Sequence, residues 1–478
     1  MPVEAEKAQA MAQPTIFWTP QAWLPSGWAR DVRLTVAPDG TWQQVESGVA
    51  KSQAGAAAAT VNYLDTPVWP GVVNAHRHAF QRAIAGLTER SGGPSGDMTD
   101  DFWSWRDRMY RAALQITPTQ LEATTTQLYA ELLQGGYTQV CEFHYLHNDV
   151  DGQPYADPLE MSLALVRAAQ VTGIGLTLLP VLYMHSGFAV QRTGGGLRDE
   201  QRRFASTPES VLRISEAVNG MALPRVTAGL ALHSLRAVDP GALKEASTAA
   251  ARRGWPIHIH ISEQTQEVDD CIAHHGQRPV EWLLNHASVN SRWNLVHATH
   301  TNPQELAGIQ ATGASVVICP STEANLGDGV FDLPTHLQLK ANWSIGSDSH
   351  ATRRLSEELR LLEYSQRFAR RERNVAARAS GADSTAATLF NGAIRGGAAA
   401  SGLPLGGLVA GQRADFCLLD TGAASLAGIP AERLLDAWVF SSPDALCSAS
   451  HVGGRAVPAP KPAWQAGFTK SMRTIWGD

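Results

Sequence analysis

Eight short apolar runs rich in β-branched residues recur through the middle of this chain, at 69–76, 137–145, 174–184, 226–233, 255–261, 293–298, 314–319 and 343–348. Helix-patterned sequence separates them, at 117–135, 158–173, 207–219, 239–253 and 303–312, and an Arg- and Glu-rich helical stretch at 353–378 follows the last run. The stretch 158–173 opens on Asp157-Pro158 and 207–219 on Thr207-Pro208, each a capping residue followed by proline. Proline suits the first helical turn because its missing N–H is not needed there. Strands alternating with helices form βαβ units and a parallel sheet. Eight such units within 69–402 predict an α/β fold of the (β/α)8 TIM-barrel type. The rival, a doubly wound open sheet, would carry GxGxxG after its first strand, and none follows it.

The flanks read differently. Residues 15–68 and 403–460 hold short strand-like runs punctuated by Gly, Pro and Asp, with no long helix. They are predicted to be two pieces of one small β-sandwich-like domain into which the barrel, 69–402, is inserted. Residues 1–14 read as a disordered N-terminus, the low-complexity patch at 53–59 as a loop, and 461–478 as a C-terminal tail of no assigned structure. Polar, Ala/Gln-rich residues 1–14 lack the basic start and apolar core of a signal peptide. No apolar run approaches the roughly 18–20 residues of a membrane span, so no membrane partner is expected. The net charge of −6 gives no reason to expect nucleic acid either. Five scattered cysteines without CxxC spacing (Cys141, Cys271, Cys319, Cys417, Cys447) suit a reducing compartment, and the cytoplasm is the expected location.

In such a barrel, chemistry collects at the C-terminal ends of the strands. The first run ends in His76-Arg77-His78, and residues two apart in a strand share a face, so two imidazoles can reach one ion. Taken alone, the pair reads equally well as two ordinary histidines at a strand-to-loop corner. The fourth run ends in His233 with Arg236 beyond it. The fifth carries His258 and His260 with Glu263 following, the sixth ends at His297, and the eighth at Asp348. Packing alone explains this poorly, because each unpaired buried polar group is costly.

The pattern resembles the amidohydrolase superfamily, with HxH on strand one, His on strands five and six and Asp on strand eight. By that resemblance His76, His78, His260 and Asp348 are the metal ligands, and His297, Glu263 and Asp348 are catalytic. Two-metal members bridge their ions with a lysine, usually on strand four. Here strand four offers His233, so one divalent ion is expected, with zinc the first candidate; a His₃Asp set also admits iron or manganese. His258 is expected to point away from the ion, and His144, His300 and His350 to lie behind the ligands.

A narrower likeness, to the formimidoylglutamate deiminase family, runs along the whole barrel. It is carried by His76-Arg77-His78-Ala79-Phe80-Gln81-Arg82-Ala83, Phe102-Trp103-Ser104-Trp105-Arg106, Glu142-Phe143-His144-Tyr145, His233-Ser234-Leu235-Arg236 and Ser321–Gly329, the last read as a loop. The resemblance implies hydrolytic deimination of N-formimidoyl-L-glutamate, a small anionic substrate met by Gln81, Arg106, Tyr145, His233 and Arg236, and a homodimer by family analogy. Guanidinium forks suit its two carboxylates. The alternatives are another aminohydrolase, acting on a purine, pyrimidine or triazine, or a non-catalytic barrel scaffold.

Overall fold

The computed structural model describes residues 13–55, 60–90, 101–444 and 446–477. The disorder expected over 1–14 and the loop expected over 53–59 therefore fall largely outside the described residues.

Each of the eight apolar runs supplies a strand to one sheet, in chain order: Val72–Arg77, Tyr137–His144, Gly175–Leu182, a fourth in two pieces (Val226–Ala228 and Leu230–Leu232), Ile257–Ile261, Trp293–His297, Ser315–Ile318 and Asn342–Ile345. They are strands one to eight below. Neighbours pair in parallel throughout. Helices cover the outside and polar side chains fill part of the inside, so these strands are buried on both faces. That is why they read as continuous apolar runs rather than as alternation.

Closure occurs at the strands' C-terminal end. Asp348 N–H donates to the His76 carbonyl at 3.0 Å, and His78 N–H donates to the Asp348 carbonyl at 3.3 Å. Gly346 makes this approach possible: a Cβ there would lie 2.8 Å from both Cβ and the carbonyl oxygen of His76. The backbone that seals the barrel is thus the backbone that carries the candidate ligands.

A separate sheet draws strands from both chain ends, among them Thr15–Leu24, Gly27–Val36, Trp42–Glu46 and Val68–Pro70 from the first flank, and Phe416–Leu419 and Cys447–Val452 from the second. It curls so that Trp42, near one edge, meets Phe416 at 5.7 Å between ring centroids. Phe17, Val32, Leu34 and Val68 fill the small core between them. Trp69 joins this sheet to the barrel through Trp438 at 4.3 Å and Phe390 at 6.4 Å.

The structure differs from the sequence reading in four places. The run at 69–76 belongs to two sheets, because the chain changes partners at Gly71: Gly71 N–H donates to the Asp415 carbonyl, and Val72 N–H to that of Gly136. A Cβ at Gly71 would strike Thr138. The stretch 353–378 is two helices, Leu355–Arg370 and Val375–Ser380, separated where Arg371 and Asn374 adopt positive φ. The segment read as a loop, Ser321–Gly329, begins within a short helix, Pro320–Leu326, with proline in its first turn and left-handed Gly327 closing it. Residues 461–478 contain the helix Pro462–Trp476, pinned by the Trp476 indole N–H donating to the Ala83 carbonyl at 2.9 Å. Among the described residues, no helix is long and apolar enough to cross a membrane.

Candidate active site

Strands one, five and eight deliver His76, His78, His260 and Asp348 to a single point, all four buried. His76 Nε2 lies 3.0 Å from His260 Nε2 and 3.4 Å from Asp348 Oδ1, and His78 Nε2 lies 3.2 Å from the same oxygen. The far nitrogens of two rings face carbonyls, His78 Nδ1 that of Phe143 at 2.9 Å and His260 Nδ1 that of His233 at 3.0 Å. A carbonyl only accepts, so each ring carries its proton on Nδ1 and turns the Nε2 lone pair inward. The Nε2 lone pairs of His78 and His260 and a carboxylate oxygen then crowd one point, where His76 Nε2 is the one ring nitrogen left to bring a proton. A cation resolves that arrangement, and the N₃O donor set suits a borderline divalent ion such as zinc.

The charge states agree. Burial pushes His76 down to about 3 against the pull of Asp348, and holds His260 and His233 well below the usual imidazole range. Burial alone would raise Asp348, but the His76 and His78 rings set against its carboxylate hold it well below the usual carboxylate range. Neutral imidazoles beside an ionised carboxylate are the form in which such groups bind metal.

His297, ending strand six, faces the same point. Its Nε2 lies 3.5 Å from Glu263 Oε1 and 3.8 Å from Asp348 Oδ2, and its Nδ1 lies 3.4 Å from Glu323 Oε1. Burial works to lower His297, but Glu263, Glu323 and Asp348 together raise it to about 10. Burial, countered in part by His297, pushes Glu263 up to about 7. Glu263 therefore exchanges a proton near neutrality. The backbone is strained where it aims these groups: Ser262, His297 and Asp348 have φ of 54°, 69° and 39°. Left-handed conformation in non-glycine residues costs on the order of 1 kcal/mol each and persists where surrounding structure holds it.

Gln81, Arg106, Tyr145, His233 and Arg236 line one cavity with His78, His260, Glu263, His297 and Asp348. Arg106 rides on the helix Phe102–Ala113, whose first turn is capped by Asp101. Its guanidinium lies 4.4 Å from the Trp103 ring, and that of Arg236 lies 5.9 Å from the same ring. Among the described residues neither guanidinium has a carboxylate partner, and Arg106 Nε, Arg236 Nε and Arg236 Nη1 are buried without any hydrogen bond. The Gln81 amide donates to the Tyr145 hydroxyl at 3.0 Å, which leaves its own buried Oε1 without a donor.

The remaining histidines separate cleanly. His258 turns to the Ala400 carbonyl at 2.8 Å, away from the cluster. His350 holds the His78 carbonyl at 3.1 Å, and His300 that of Asp328 at 2.8 Å. The His144 ring faces His147. Sequence reasoning gave no role to Glu323, Glu267, Tyr110 or Tyr183. Glu267 accepts the backbone N–H groups of Ser262 and Glu263 at 3.2 and 3.0 Å and so fixes the turn that presents Glu263. Its spacing of four from Glu263 was the available signal. Glu323 lay inside a quoted motif with nothing local to single it out.

Comparison with known proteins agrees with this geometry. Residues 68–457 match the amidohydrolase family, and residues 15–57 match the N-terminal domain of formimidoylglutamate deiminase HutF. The formimidoylglutamate deiminase of Pseudomonas aeruginosa is 44% identical over 438 residues, covering 91% of this chain and 93% of that protein. A 5-methylthioadenosine/S-adenosylhomocysteine deaminase of Natronomonas pharaonis is 27% identical, over 75% of this chain and 74% of its own. Among solved structures, an amidohydrolase from Brucella melitensis superposes with a TM-score of 0.86 at 40% identity, covering 97% of this chain and 100% of that one. An adenosine deaminase from Xanthomonas campestris with bound zinc gives 0.77 at 21% identity over 97% and 99%, which shows a shared fold. With a family match across the whole barrel and a relative this similar over most of its length, the chain belongs to the amidohydrolase family, in its formimidoylglutamate deiminase branch.

Proposed function

We propose that this protein hydrolyses N-formimidoyl-L-glutamate to N-formyl-L-glutamate and ammonia, a step of histidine degradation. One observation carries the reading: the buried Arg236 guanidinium and the half-buried one of Arg106, which meet no carboxylate among the described residues, share a cavity with the histidine–aspartate cluster. A substrate with two carboxylates supplies the missing charge. The 44% identical Pseudomonas relative carries the same activity in its name.

His76, His78, His260 and Asp348 would hold one divalent ion, with zinc our expectation. Such an ion supplies Lewis acidity that brings the pKa of water from 15.7 towards roughly 7. Asp348 Oδ2, the oxygen turned towards His297, takes the proton that water loses. Glu263, poised near 7, delivers a proton to the imino nitrogen and then takes the proton of the attacked carbon's hydroxyl, while the proton held by Asp348 passes to the same nitrogen, which leaves as ammonia when its bond to carbon breaks. His297, held as a cation between Glu263 and Glu323, stabilises the negative charge that develops at the attacked carbon's oxygen. Arg106 and Arg236 take the carboxylates, and Gln81, Tyr145 and His233 orient the chain between them. We assign catalysis to the barrel, 69–402, and support to the sheet formed by 15–68 and 403–460.

A purine, pyrimidine or triazine substrate is the second reading. It would leave both guanidiniums unpaired, which the cavity disfavours. Ammonia release from N-formimidoyl-L-glutamate, measured beside guanine, cytosine and N-formimidoyl-L-aspartate, tests the choice; turnover of a ring substrate alone would reject ours. We also read the protein as a cytoplasmic homodimer, consistent with five free cysteines and testable by light scattering on the purified protein.

A further inference from the structure

Tyr110 and Tyr183 line the cavity, and the mechanism above uses neither. The Tyr183 ring lies 4.0 Å from that of His233, which in turn lies 5.1 Å from His260. The phenol pair is therefore separated from the ligand histidines by a layer of ring. Their hydroxyl oxygens are 3.4 Å apart, and Gln201 Nε2 reaches both, at 3.0 Å to Tyr110 and 2.8 Å to Tyr183. Gln201 is fully buried, and its orientation is fixed, because its Oε1 accepts the Arg198 backbone N–H at 3.1 Å.

An amide keeps both donors on nitrogen and its acceptor on oxygen. Gln201 therefore donates to both phenol oxygens, and each phenol must send its own proton elsewhere. The contact between the two tyrosines takes at most one of those protons. Among the described residues, neither hydroxyl has a further acceptor. At least one O–H consequently points into the cavity as a donor, beside Arg106, whose guanidinium lies 5.5 Å from the Tyr110 ring. This end of the cavity is rich in donors, the free phenol O–H and the Arg106 guanidinium, with only the remaining lone pairs of the phenol oxygens as acceptors.

We propose that Gln201 is a specificity-determining residue: by holding Tyr110 and Tyr183 as donors, it selects a carboxylate over a carboxamide at the side-chain end of the substrate. The proposal rests on the substrate reading above. With the formimidoyl carbon at the histidine cluster, the side-chain carboxylate is the group farthest from it and reaches the phenol pair. A carboxylate presents only acceptors, whereas a carboxamide turns N–H groups against buried donors and loses their hydrogen bonds.

The experiment measures kcat/KM for N-formimidoyl-L-glutamate and N-formimidoyl-L-glutamine in the wild type, Y110F/Y183F, Q201E and the combined triple variant, each loaded with zinc. The ratio of the two values within one preparation cancels any difference in folded fraction. Y110F/Y183F should lower the preference for the glutamate compound about tenfold or more, chiefly through KM. Q201E, whose carboxylate accepts both phenol protons, should lower it comparably, yet add under about threefold when placed on Y110F/Y183F. An unchanged ratio in Y110F/Y183F overturns the proposal. So does an equal effect of Q201E in both backgrounds, which would show added charge acting alone. A wild type that releases no ammonia from N-formimidoyl-L-glutamate overturns the substrate reading as well, so the two failures are distinct.

Discussion

At one end of the cavity the lone pair of His260 faces the His76 ring and that of His78 faces the Asp348 carboxylate; at the other, Arg106 and Arg236 present guanidiniums that no carboxylate of the described residues meets. The first end has too many acceptors and the second too many donors. Several buried charges elsewhere are matched. Arg77 pairs with Glu142, Arg203 donates to the carbonyls of Ile116 and Asn148 at 2.8 and 2.9 Å, and Glu363 pairs with Arg367 at 2.8 Å. Unmatched buried polarity costs stability, and a fold retains it where a ligand supplies the missing charge. The two excesses, opposite in sign, call for a cation at one end and an anion at the other.

Breaking the acceptor end should have the largest effect. Asp348→Asn removes the only charged member of the cluster and the proton acceptor together. Bound metal should fall below one ion per chain by atomic emission, and ammonia release should drop by roughly 10³-fold or more. A variant that kept both its metal and its rate would dismiss the assignment of the cluster.

The donor end should respond differently. Arg236→Met is expected to raise KM about 100-fold, since a buried charge-assisted pair with the substrate is lost. The same change removes a buried charge that touches no carboxylate of the described residues but is favoured at longer range by Glu267 and Glu263, so the melting temperature of the substrate-free protein should change little. A lower melting temperature with KM unchanged would mean that Arg236 serves the fold and not the substrate. Between the two ends, Glu323→Gln should reduce kcat about tenfold with little change in KM, because Glu323 orients His297 and touches no substrate. A shift in KM alone would place Glu323 with the binding groups instead.

What could be read from the sequence follows from how each group is placed. His76, His78, His260, His297 and Asp348 were legible because a barrel fixes where strand ends go, and each sits at the end of an apolar run. The change of sheets at Gly71 was not, because the run is continuous and its partners, Asp415 and Gly136, come from distant parts of the chain. The helix Pro320–Leu326 was read as a loop because Ser, Thr, Asn and Gly serve turns and short capped helices alike, and seven residues are too few to show periodicity. Tyr110, Tyr183 and Gln201 lie on three separate segments that meet only when the chain after strand three folds back over the helix Phe102–Ala113. No local spacing announces that meeting.

The smallest effect expected concerns a buried histidine outside the cavity. His78 gives one nitrogen to a carbonyl and the other to the cluster, whereas His147 gives Nε2 to the Val181 carbonyl at 2.9 Å and leaves Nδ1 without a partner. Burial pushes His147 down to about 4, against the pull of that hydrogen bond. Unfolded, the ring titrates near 6.5, so between these values the unfolded chain binds more protons than the folded one. Its contribution is therefore present above about pH 6.5 and is lost as the pH falls towards 4. At pH 5 the loss from this one ring reaches about 2 kcal/mol. His147→Gln keeps a donor for Val181 and does not titrate. Between pH 7 and pH 5 its unfolding free energy in urea should fall by about 1–2 kcal/mol less than that of the wild type, with metal content and ammonia release at pH 7.5 unchanged. An identical pH slope in the two proteins would show that His147 is not held neutral. A loss of metal would show that matched and unmatched histidines are not the separate classes their hydrogen bonds make them.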